Sequence, residues 1–284
     1  WEKEAVFLVE SLRTFGGRLA QQPVTLLTIK GKPLGTKSMK RLDELRVSCP
    51  EFEIDAESLN FPLAVVAHGA AAAERHSPAQ TDCLVWLLPD TLILREPSAF
   101  RLPAGSQLGF RPVHHQNIGS GYTQAPDAFW QKIYQHCDVP QDHIFPMQTC
   151  YRELVRPYFN AGMLAARPAD QLLGHWLDAF QRTFQHPDFL PFFKIRKYAI
   201  FMHQAILAGV ILKNFSPDHL VELPENYNYP LHMHNRYPEQ ARVGSLEQLV
   251  TVRYEKASLL PKLLKEIQIS PARSEWFKER KLLK

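Results

Sequence analysis

The stretch Asp82-Cys-Leu-Val-Trp-Leu-Leu-Pro-Asp-Thr-Leu-Ile-Leu-Arg-Glu-Pro97 decides the fold. Its first half, Cys83 to Leu87, is an apolar run of strand length. The Pro89-Asp90 pair then interrupts regular structure before a second apolar step, Thr91 to Leu94. A run apolar on both faces predicts a central strand buried between helical layers, with the Asp90 carboxylate just past its C-terminal end. Ligands of open α/β sheets collect at that end.

Toward the N-terminus, Ala5, Val6, Leu8, Val9, Leu12 and Phe15 lie at helical spacing and Gly16-Gly17 stops them. Strands are expected at Val24 to Ile29 and Phe52 to Ile54, and helices at Lys40 to Val47 and Pro62 to Arg75. This alternation predicts parallel pairing through right-handed crossovers. Such a layer normally opens with a strand, so one is expected upstream of Trp1. Toward the C-terminus the pattern predicts a strand at Gln107 to Val113, a polar loop at His114 to Thr123 and a helix at Ala125 to Cys137. A strand follows at Pro157 to Pro168, where Gly162 signals a bulge or the close approach of a ligand or backbone. Helices at Asp170 to Phe184 and Arg196 to Leu212, a strand at Leu220 to Leu223 and a loop at Pro224 to Pro238 complete an α/β domain over residues 1–244. Residues 245–284 are expected to form a helical extension interrupted at Pro261 and Pro271.

The chain of 284 residues is 45% hydrophobic and 11% aromatic, enough to fill a core. Its 33 basic and 29 acidic residues leave a formal charge of +4, without the clustered basic footprint of a nucleic-acid binder. No apolar run reaches the length of a membrane span. Cys49, Cys83, Cys137 and Cys150 are scattered without CxxC spacing, as suits buried thiols in a reducing, cytoplasmic setting better than a disulfide frame or a zinc site.

Four segments in order resemble the GT-A-type nucleotide-sugar glycosyltransferases, in particular the glycogenin and galactosyltransferase-like group. They are Leu84-Val-Trp-Leu-Leu-Pro-Asp-Thr-Leu-Ile-Leu94, Tyr158-Phe-Asn-Ala-Gly-Met-Leu164, His203-Gln-Ala-Ile-Leu207 and Asn226-Tyr-Asn-Tyr-Pro-Leu-His232. The resemblance spans about residues 3 to 235 and implies a Rossmann-like, mixed and mostly parallel sheet flanked by helices. It also implies a nucleotide-diphosphate-sugar donor, UDP-sugar first among the choices, and an acceptor that the sequence does not identify. In the family the first segment carries a DxD sequence holding manganese or magnesium against the donor diphosphate. Here Leu88 and Pro89 stand before Asp90, so the resemblance leaves Asp90, His232 and His234 as the metal-ligating candidates.

By the same resemblance, Asn160 would bond the donor sugar's hydroxyls and Gly162 would let the sugar ring approach the backbone. His203 occupies a position commonly held by an aspartate and, with Gln204, is the catalytic candidate. Asn60, Arg111 and Asn117 are further donor-binding candidates, with Lys194 an additional cation for the diphosphate. Each has a plainer reading. Asp90 could be an Asx-turn residue, Asn160 and Gly162 a β-bulge, His203 a core histidine, Asn60 a helix N-cap, and His232 with His234 a solvated loop. Leu88, Phe61 (where the family has lysine) and His203 all depart from the family pattern, which keeps a second possibility open: a glycosyltransferase-like fold that binds without catalysing. A histidine-based metallohydrolase using His114, His115, His232 and His234 lacks ligand spacing on a helix.

Overall fold

The computed structural model describes residues 1–283. The chain opens with α1 (Glu2–Phe15), short strands β1 (Val24–Thr25) and β2 (Thr28–Ile29), α2 (Thr36–Glu44), and strands β3 (Val47–Ser48) and β4 (Glu51–Phe52). Helices α3 (Ala56–Asn60) and α4 (Ala64–His76) lead into β5 (Leu84–Leu87) and β6 (Thr91–Ile93), the two halves of the deciding stretch. Then come β7 (Leu108–Pro112), α5 (Ala128–His136), a hairpin of β8 (Met147–Gln148) and β9 (Leu154–Val155), and β10 (Phe159–Ala166). Helices α6 (Leu172–Thr183) and α7 (Arg196–Asn214) precede β11 (Leu220–Glu222), β12 (Tyr229–Pro230), β13 (Thr251–Arg253), α8 (Leu260–Leu263) and α9 (Pro271–Glu279).

Side chains fix several helix starts. Asp127 accepts the Trp130 N–H at 2.9 Å at the head of α5, and Ser270, followed by Pro271, caps α9. Asp55 does the same for α3 by accepting the Ser58 N–H at 2.7 Å. That earlier cap displaces the expected one. Asn60 is the last residue of α3, and α4 begins only after Leu63, because Phe61 is held extended by the proline that follows it.

The main sheet has the order β11-β7-β10-β5. Its central strand is β10, all eight residues of which are buried, whereas β5 lies at the edge and is half-buried throughout. The expectation that Cys83 to Leu87 forms the buried central strand is thereby corrected, since a four-residue apolar run reads the same at an edge as in the middle. The sheet is mixed. β7 and β11 pair in parallel, as do β1 with β3 and β2 with β4, but β10 runs antiparallel to both its neighbours. The parallel pairing expected from simple alternation fails at β10 because the chain reaches it through α5 and a hairpin rather than through one crossover helix.

On one face of β10, Leu164 and Ala166 join a core with α4, α5, α6 and α7 that includes the fully buried Trp130, Trp176 and Phe180. Each such side chain contributes about 1.5–3 kcal/mol by leaving water. On the other face, Met163 and Ala165 pack with Phe100, Leu223 and Val250. A second, smaller sheet of order β12-β13-β6 is backed by a separate core containing Leu92, Tyr229, Val252, Trp276 and Phe277. Residues 245–283 therefore supply a strand and part of that core rather than a mostly helical tail. Helix α1 closes over β6, where the Ser11 hydroxyl accepts the Ile93 N–H at 2.9 Å.

Candidate functional site

The Asn160-Ala161-Gly162 step departs from regular strand geometry. Phe159 and Ala161 belong to the helix-side core, and so do Leu164 and Ala166. A strict two-residue alternation cannot place 161 and 164 on one face. The pairing of β10 with β7 slips between Phe159 and Leu164, so the strand carries a bulge there. Its effect is to turn Asn160 away from the helices, onto the side where Met163 meets Thr251 of β13. The bulge is secured from within: the Asn160 Oδ1 accepts the Gly162 N–H at 2.9 Å, and the Gln204 Oε1 of α7 accepts the Ala161 N–H at 3.0 Å.

Opposite this bulge lies Arg253. In the antiparallel register of β13 with β6, Arg253 stands across from Thr91, and the Tyr254 N–H donates to the Asp90 carbonyl at 3.1 Å. The guanidinium thus meets the Asp90 side chain, Nη2 to Oδ2 at 2.8 Å, with both side chains largely buried. Asp90 makes no Asx-turn bond; its carboxylate is spent on arginine, and Oδ1 has no protein partner. The other side of the guanidinium lies against Gly162, where a Cβ would overlap Nη1. The close approach that the glycine permits is that of Arg253.

His232 joins the group from the loop after β12. Its Nδ1 faces the Arg253 carbonyl at 3.2 Å, a geometry that makes Nδ1–H the donor, and burial pushes its imidazole below the usual value. The His114 ring lies 5.8 Å away, with Nε2 facing the Asn228 carbonyl at 3.1 Å; burial holds this imidazole neutral. Asn228 has a left-handed backbone, and both polar atoms of its buried carboxamide lack a protein partner. Beyond His232 opens a cleft of about 340 Å³ lined also by Asn235, Arg236, Glu255, Lys262 and Glu266.

The remaining candidates lie elsewhere. His203 is buried under α6, where its ring stacks on Trp176, its Nδ1 bonds the Ile200 carbonyl at 3.0 Å, and burial lowers it to about 4. The buried Arg111 donates to Glu222 at 2.6 Å and to the Leu223 carbonyl at 2.7 Å. His234 is tied to the Tyr229 hydroxyl at 2.8 Å. Asn117 sits in the His114 loop with φ 48°, and Asn60 and Lys194 are exposed on the surface. Asp90, Gly162 and His232 thus meet Arg253 directly and Asn160 and Gln204 brace the adjoining bulge, while His203, Arg111, His234, Asn117, Asn60 and Lys194 make no hydrogen bond or ion pair to these residues.

A family model for the Rhodobacterales glycosyltransferase domain matches residues 1–213. The chain belongs to this glycosyltransferase family. Among solved structures it is similar to the galactosyltransferase LgtC in complex with donor and acceptor sugar analogues, at 12% identity and TM-score 0.51, covering 96% of this chain and 94% of that one. It is also similar to the glycosyltransferase GlyE of Streptococcus pneumoniae TIGR4, at 12% identity and TM-score 0.49, over 97% of this chain and 56% of that one. A third likeness is to core-mannan synthase A of Aspergillus fumigatus in its Mn/GDP form, at 8% identity and TM-score 0.48, over 78% and 69%. No curated protein matches. The GT-A fold of the transferase is that expected from its four motifs, and none of its described helices is long and apolar enough to cross a membrane.

The transferase's Asp90 site does not fit a divalent cation. One carboxylate oxygen is engaged by a guanidinium, His232 directs one nitrogen to a backbone carbonyl, and His234 is occupied by a tyrosine. The Arg253 guanidinium already pairs with the Asp90 carboxylate. Among the described residues, the one cluster with metal-ligating atoms in reach of one another is His136, His186 and Asp188, which shares no residue with the Asp90 group. Lys132 already lies 3.0 Å from its carboxylate, which His136 and Lys132 hold down at about 2.

Sequence reasoning missed Arg253, and a signal was there. Thr251-Val-Arg-Tyr254 is β-branched and aromatic, a strand pattern inside a segment read as helical, and a lone arginine in such a run calls for a partner.

Proposed function

We propose that this transferase moves a sugar from a nucleotide-diphosphate donor, a UDP-sugar by preference, to an acceptor hydroxyl, and that the Asp90 group is the donor site. In that reaction the bond from the anomeric carbon to the diphosphate oxygen breaks and the acceptor oxygen forms the new one. The acceptor proton passes to solvent or a nearby base, and the nucleoside diphosphate leaves. One observation carries the reading: in a chain of glycosyltransferase family, three motif segments distant in sequence gather at the end of β5, Asp90 and Gly162 against Arg253 and Asn160 beside Gly162, with His232 at the Arg253 carbonyl. Asp90 Oδ1, Arg253 Nε and the Asn228 carboxamide lack protein partners, which suits a polar ligand bound nearby.

In this reading the Asn160 carboxamide addresses the sugar hydroxyls and Gln204 keeps the bulge in shape. His232 separates the donor end from the cleft beyond it. His203, sealed in the core, acts only by positioning α7.

Calorimetric titration with a panel of nucleotide sugars, with and without manganese, tests the proposal, and the expected result is binding of at least one donor. Failure of every donor to bind would sink it. The departures at Leu88, Phe61 and His203 favour a second reading, a binding protein without turnover. Release of nucleoside diphosphate from a bound donor by the unmodified protein excludes that alternative.

A further inference from the structure

The manner in which Arg253 is held is not that of an arginine serving only as a counter-ion. Arg152, by contrast, grips Glu225 with both terminal nitrogens, at 2.7 and 3.1 Å, the fork geometry of a guanidinium committed to one carboxylate. Arg253 touches Asp90 through Nη2 alone. Its Nε is buried without a partner, and its Nη1 rests in the space that Gly162 leaves by lacking a side chain. Most of its N–H donors therefore remain unspent in a site from which water is largely excluded, where a fixed positive charge acts on an anion far more strongly than at the surface.

Resting on the donor-site reading above, we propose that Arg253 is the cation of the transfer reaction. Its guanidinium faces the donor diphosphate and neutralises the charge that grows on the leaving oxygen, in place of a divalent metal. Asp90 is then a positioning residue, orienting Arg253 through one oxygen as it would otherwise have oriented an ion. Gly162 makes the seat for the guanidinium. The sequence change fits this exchange. A second acidic group at position 88 would be needed to grip a metal, and with a guanidinium in place Leu88 suffices. The proposal adds no step to the transfer, since the bond broken and the bond formed are unchanged and no proton moves to or from arginine.

The experiment is titration of the protein with ADP, GDP, CDP and UDP, first in excess EDTA and then in excess manganese. The expected result is binding of at least one nucleoside diphosphate with the same affinity in both buffers, which needs no variant. Arg253→Ala is expected to weaken that binding about tenfold or more, as loss of a charged hydrogen-bond donor does. Arg253→Lys, which keeps the charge in a less suitable shape, should fall between the two. Gly162→Ala should reproduce the loss by evicting the guanidinium while leaving its charge in the protein. Wild-type binding that appears only with manganese overturns the proposal while leaving the transferase reading intact, as does undiminished binding by a folded Arg253→Ala or Arg253→Lys protein. No binding of any of the four by the wild type overturns the donor-site reading, and this proposal with it.

Discussion

Asp90 and Arg253 form a largely buried pair, so each is the condition for the other's presence. Removing one partner strands the second charge, and Asp90→Ala is expected to destabilise the fold by about 3–5 kcal/mol. The double variant Asp90→Ala with Arg253→Ala should cost less than the sum of the single changes, as read from urea midpoints in a double-mutant cycle. On the proposal above, the same pair governs metal chemistry. Leu88→Asp with Pro89→Ser, which rebuilds an acidic pair, should bind no manganese while Arg253 remains and should acquire it once Arg253→Ala is added; direct manganese titration reads the difference. Gln204 acts on stability rather than on charge. Gln204→Ala leaves the buried Ala161 N–H unpaired, at about 1–3 kcal/mol, and should lower the melting temperature.

At the scale of elements, β13 does most to build the site. It pairs with β6 on one side and β12 on the other, so it brings Arg253 to Asp90 while completing the second sheet. Residues 245–283 also give that sheet's core Trp276 and Phe277, packed with Leu92 and Leu94. A chain ending at residue 244 would leave β6 without its strand neighbour and that apolar face in water. It is expected to be insoluble or to lack cooperative unfolding, which expression followed by thermal circular dichroism checks. The bulge in β10 is the complementary device. Without it the alternation running from Leu164 and Ala166 would send Asn160 into the helix-side core.

Across the whole molecule, several imidazoles are kept neutral by burial, and this sets the response to acid. The unfolded chain protonates His203 near 6.5, whereas the folded protein resists until about 4. Stability present above pH 6.5 is therefore lost as pH falls toward 4, by as much as about 3 kcal/mol from this ring. His114 adds to the loss in the same direction. Urea midpoints at pH 7 and 4.5 should show the decline, and His203→Gln should flatten it. The sequence by itself determined the four ordered glycosyltransferase motifs and, through their resemblance to a known family, the GT-A class of fold, because short motifs and their order are legible along the chain. Only the tertiary structure decided that β10 rather than β5 is the buried centre, that His203 belongs to the core, and that the Asp90 carboxylate is paired with the guanidinium of Arg253. Those outcomes depend on which strands meet and in what register, and Asp90 and Arg253, 163 residues apart, are joined by nothing that a local reading of the chain can see.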